Sequence, residues 1–269
     1  MFQTLMCLML ALPSIAREPA SDDSPASIAQ KPAPPDPQRV KAAVAELEKA
    51  FKEGQSAERI RAIEDGERTI DAQVIRWIAH GLADRDVEVQ RAAIEALRFM
   101  DHPDALKDLE TAALHDESLR KDPEIYAALL KAIGQHASPS SLPIFKESLW
   151  TVQDRAVIRA RVLGIGQIRT EAAVEALIGL MRSGGKGVIQ PFMEDFRLAL
   201  AELTGVDQGR SQDLWYTWWN ENHAKLKVDA KPPVLAKPLQ RTWDSYWSRD
   251  VKDEPNTKHK SDEPDKKKQ

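Results

Sequence analysis

The sequence predicts an all-α solenoid, and three observations carry that expectation. Leu97, Ile133, Ile165 and Leu200 stand 36, 32 and 35 residues apart in matching contexts, Ala96-Leu97, Ala132-Ile133, Gly164-Ile165 and Ala199-Leu200. A period near 35 residues marks stacked copies of one supersecondary unit. Apolar residues recur at helical spacing, as in Val40, Val44, Leu47 and Phe51. No stretch alternates with period two for long enough to argue for a sheet.

The elements follow in chain order. Leu5 to Leu12 is an apolar run, and small residues in Pro13-Ser14-Ile15-Ala16 match a cleavage site, although Met1-Phe2-Gln3-Thr4 has no basic residue. This predicts a signal peptide over 1–16 and an exported chain, periplasmic or secreted, that begins near Arg17. Cys7 is the only cysteine, so cleavage leaves no thiol for a disulfide, a Cys-based zinc site or a nucleophile. Residues 17–38 are rich in Ser, Asp, Ala and Pro and read as a disordered linker. Residues 39–207 form the repeat array. Its turns fall at Asp84-Arg85-Asp86, Asp101-His102-Pro103, Ser138-Pro139 and Thr170-Glu171, where Pro opens a helix and Ser or Thr can cap one. Ser183-Gly184-Gly185-Lys186-Gly187 is a looser break, and Gly205 ends the last repeat helix in a left-handed cap. Residues 208–228 hold a Trp-rich capping helix, with Trp215 and Trp219 expected to be buried against the last repeat helix, near 188–204. Residues 229–269 form an extended, mostly disordered tail with a short helix near 240–248, where Trp243, Tyr246 and Trp247 are spaced to share one face.

The copy with Ala132-Ile133-Gly134, Pro139, Leu142-Pro143 and Phe145, and the next with Ile165-Gly166, Ile168, Ala173-Val174 and Leu177, resemble compact bacterial HEAT-like repeats over about residues 39–207. The competing 34-residue tetratricopeptide pattern lacks its recurring Trp–Leu–Gly–Tyr framework. Leu203-Thr204-Gly205 followed by Trp215, Trp218 and Trp219 resembles the closing element of exported HEAT-like proteins. The resemblance implies a right-handed α-solenoid whose second helices line a concave side. It is nearly silent on function.

Chemistry is sparse. No His-Glu-x-x-His or Gly-x-Ser-x-Gly motif occurs, and the histidines never pair at metal-ligand spacing. Gly184-Gly185-Lys186-Gly187 lacks the upstream Gly and following hydroxyl of a phosphate loop. A net charge of -4 gives no footprint for nucleic acid, and no later stretch nears the ~18 apolar residues of a membrane span. No catalytic residue, metal ligand or cofactor is assigned. The leading expectation is a non-enzymatic exported scaffold binding a protein or peptide. Its candidate contacts are the polar residues of the second helices: Arg91, Glu95, Arg98, Tyr126, Lys131, Arg155, Arg159 and Arg161. Two alternatives remain open. One is an accessory, lyase-like enzyme with its site in the groove, and the other is a glycan-binding protein using the Trp-rich end.

Overall fold

A computed structural model describes residues 35–248 except 148, 152 and 153. The segments expected to be a signal peptide, most of the linker and the final tail lie outside the described residues. Among the described residues every regular element is helical.

The helices form a two-layer solenoid. One layer stacks α1 (Pro37–Glu53), α3 (Ala72–Ala79), α5 (Pro103–His115), α8 (Leu142–Lys146), α10 (Glu171–Ile189) and α12 (Gln212–Asn222). The other stacks α2 (Ser56–Gly66), α4 (Val87–Phe99), α7 (Pro123–Gln135), α9 (Arg155–Gln167) and α11 (Met193–Thr204). The short α6 (Glu117–Lys121) links α5 to α7. Each helix packs on the next of its own layer, so each pair covers the apolar face its predecessor exposes. Leu97, Ile133, Ile165 and Leu200 sit on successive second-layer helices, all fully buried.

Local chemistry sets the boundaries. Asp36, Asp71, Asp86, Asp122 and Asp154 each accept a hydrogen bond from the main-chain N–H two residues on, at 2.8–3.1 Å. Pro37, Pro103 and Pro123 open α1, α5 and α7, where a missing N–H leaves nothing unpaired. Thr170 caps α10 through Ala173 N–H at 3.2 Å. Ser138 does not cap α8; its hydroxyl pairs with that of Ser140 instead. Gly205 closes α11 at φ 71°, a left-handed cap. The glycine-rich break is a kink inside α10, where Gly185 has φ 71° and ψ 158°.

The Trp-rich helix α12 differs from expectation. It packs chiefly on α10 rather than α11, because it continues the first layer one step further. Gln212 donates to the Met181 carbonyl at 3.0 Å, and Lys186 pairs with Asp213 at 2.9 Å. Trp215 is fully buried and donates its indole N–H to the Gly209 carbonyl at 3.0 Å. Trp219 is only half-buried, since among the described residues no second-layer helix follows to cover it.

Candidate functional site

The face formed by the second-layer helices is already occupied by α13 (Lys237–Trp247), which the chain brings back across it. Leu235, Leu239, Trp243 and Trp247 recur every fourth residue and are all buried, while Arg241, Thr242, Asp244 and Ser245 point to solvent. This is an amphipathic helix lying apolar side down.

The seat of α13 is built by glycines. A Cβ on Gly134 of α7 would stand 2.7 Å from the Trp247 ring, and one on Gly166 of α9 would stand 3.0 Å from the Trp243 ring. The absence of side chains at these two positions opens a hollow for each indole. The two rings meet edge to face, centroids 5.7 Å apart.

Arg98 of α4 holds the far end. Its guanidinium donates to the Trp247 carbonyl at 2.7 Å, the Ser248 carbonyl at 3.3 Å and the Gln135 side-chain oxygen at 3.2 Å, and it pairs with Glu95 at 3.2 Å. A cation among the last carbonyls of a helix also meets the negative end of its dipole. Lys131 and Arg159 flank the Tyr246 ring, 5.3 and 5.1 Å from its centroid. With Arg241, Thr242 and Ser245 they line a cleft of about 540 Å³ beside α13.

At the near end, Glu202 of α11 is buried and lies 3.4 Å from Arg169. Burial is the main cause that raises its carboxyl to about 7; Arg169 opposes the rise and Asp244 of α13 adds to it. Burial likewise raises Asp195, against the pull of Arg159 and Arg155. Arg159 and Asp195 pair at 3.3 Å.

The eight residues expected to contact a partner therefore divide. Arg98, Lys131 and Arg159 do line the groove; α13 covers Arg98, while Lys131 and Arg159 stay half-exposed beside it. Glu95 serves Arg98. Arg91, beside Glu88 and Glu124, and Arg155, which donates to the Pro191 carbonyl at 3.3 Å, stay exposed. Tyr126 and Arg161 are corrections: both are buried. Arg161 donates to the Ile144 and Glu147 carbonyls and to the Tyr126 hydroxyl, tying α9 to α7 and to the end of α8. Sequence reasoning missed Gly134, Gly166 and Glu202. The spacing of Trp243, Tyr246 and Trp247 signals the helix that uses them and its return to the solenoid, but not the surface it lies on.

At the Trp-rich end Tyr216, Trp218 and Trp219 are half-buried. Trp215 is buried, and Trp218 stands at 83° to it. No group of three or more His, Cys, Asp or Glu among the described residues could hold a metal ion. None of the described helices is long and apolar enough to cross a membrane.

Comparison with known proteins agrees with this architecture. Residues 44–121 match the family model for HEAT repeats. No curated protein matches the chain.

Proposed function

We propose that this protein is an exported, non-enzymatic scaffold that binds a protein or peptide through its solenoid surface. The observation that carries the reading is the second-layer face itself. It has the parts of a helix-binding groove, namely indole-sized hollows and a guanidinium for terminal carbonyls, and a helix lies in it. HEAT repeats commonly serve as interaction scaffolds, and residues 44–121 match them. The apolar run Leu5–Leu12 before Ala16 supports export.

Arg91 and Arg155 are exposed charges of this face that α13 leaves uncovered, and they make the test. A photo-crosslinker placed at either position in the full chain, used in extracts of its own cell, should join it to one dominant protein. The purified partner should bind the unmodified chain and lose at least tenfold in affinity with Arg91→Glu and Arg155→Glu combined. Crosslinks scattered over many proteins, or unchanged affinity, would refute the scaffold reading. N-terminal sequencing of native protein that recovers Met1 would refute export.

A further inference from the structure

We infer that the second-layer groove is a receptor for an amphipathic helix with aromatic residues four apart, and that α13 is its displaceable resident. The inference rests on the scaffold reading and names the partner's chemistry.

Three features separate α13 from an ordinary structural helix. First, the array is layered without it: α1 to α12 already pair and stack in both layers. Second, α13 is attached through side chains, because its backbone packs closely on no single array helix. Third, its seat is imperfect. The Trp247 indole N–H is buried with no hydrogen-bond partner among the described residues, and so is Glu202 Oε2. Each unmet group weakens docking relative to a ligand that meets it.

The tether permits exchange. Residues 226–236 join the short 3-10 turn His223–Lys225, which follows α12, to α13 without regular structure, and Pro232, Pro233 and the fully exposed Val234 lie within it. Arg169 holds its start through the Asp229 carbonyl at 2.7 Å. α13 can leave while the tether stays pinned, and it returns at the high effective concentration of a short linker. An incoming helix must then match what α13 presents. Two large aromatics must fill the hollows over Gly134 and Gly166, and helical carbonyls must end against Arg98. The outward side must be polar.

A fluorescent synthetic peptide of residues 235–248 tests this. It is titrated into the unmodified full chain and into the full chain carrying Trp243→Ala and Trp247→Ala, which frees the groove. The double variant should bind it saturably at one site, and the unmodified chain at least tenfold more weakly, because α13 competes. A peptide with both tryptophans replaced by alanine should not bind either. A double variant that keeps its helical circular dichroism yet fails to bind the peptide overturns the inference, as does equal binding to both chains. Should the double variant not fold, hydrogen exchange on the unmodified chain decides. Residues 237–247 must open while residues 87–135 stay protected; opening only together with them overturns the inference. A failed peptide with a successful crosslink at Arg91 or Arg155 leaves the scaffold reading standing.

Discussion

Single residues set both the seat of α13 and its response to pH. Gly134 and Gly179 are both helical glycines, but a Cβ at Gly134 would press on the Trp247 ring, while one at Gly179 would meet nothing within 4 Å. Gly134→Ala should therefore cost about 1–3 kcal/mol through overpacking. Gly179→Ala should stabilise by roughly 0.5–1 kcal/mol through helix propensity. Urea denaturation of the two variants checks the opposite signs. Glu202 gives the pH dependence. Its folded carboxyl titrates near 7, above the 4.5 of an unperturbed glutamate, so the native state binds the extra proton. Its contribution is present in full below about 4.5 and is lost as pH rises to about 7. In that window Glu202→Gln should flatten the fall in stability by on the order of 3 kcal/mol. An unchanged slope of stability against pH would refute the assignment. These roles were not legible in the sequence. Gly134, Gly166 and Glu202 bear on α13 because a segment some 40 to 110 residues later returns to lie on them, although Gly166 also admits the close approach of Ala199 on α11, and Arg98 and Arg161 read as surface charges because their carbonyl partners are main-chain atoms.

At the scale of elements the sequence was far more informative. One apolar anchor per repeat is enough to mark the period, since each of Leu97, Ile133, Ile165 and Leu200 must be buried wherever its helix stacks. What an apolar pattern does not encode is which neighbour a helix meets. That is why the direction of α12 was misread and why the surface under α13 was not identified. The corrected packing makes an unequal prediction for two tryptophans one turn apart. Trp215→Ala should cost about 3–5 kcal/mol. Trp219→Ala should cost less than half of that, because Trp219 is half-buried. Hydrogen exchange should show the Trp215→Ala loss first in α10, residues 171–189, which α12 covers. Faster exchange confined to α11 would contradict the pairing.

For the described array as a whole, α13 changes the rule by which the solenoid holds together. Stacked repeats normally feel only their nearest neighbours. One helix here touches α9 through Trp243, α7 through Trp247 and Tyr246, and α4 through Arg98, and it faces α11 through Asp244. Repeats that do not adjoin are thereby coupled. The intact chain should unfold in one sharp thermal transition, its calorimetric and van't Hoff enthalpies nearly equal. Trp243→Ala with Trp247→Ala should broaden the transition and let the two enthalpies part. A variant that stays as sharp as the parent would show that α13 splints nothing.

The Arg98 clamp has a consequence for how much of a bound helix the protein can read. Arg98 grips carbonyl oxygens, which every residue has, so it recognises where a helix ends and ignores what the helix is made of. Identity is read on the buried side, in the hollows over Gly134 and Gly166 and at the buried positions of Leu235 and Leu239. A randomised library of helices selected on this groove should thus come back with two aromatic columns, at the places of Trp243 and Trp247, apolar residues at those of Leu235 and Leu239, and noise on the outward side. Such an alphabet is too short to single out one protein. It defines a class of helix ends, and a second contact elsewhere on the solenoid must supply the remaining letters.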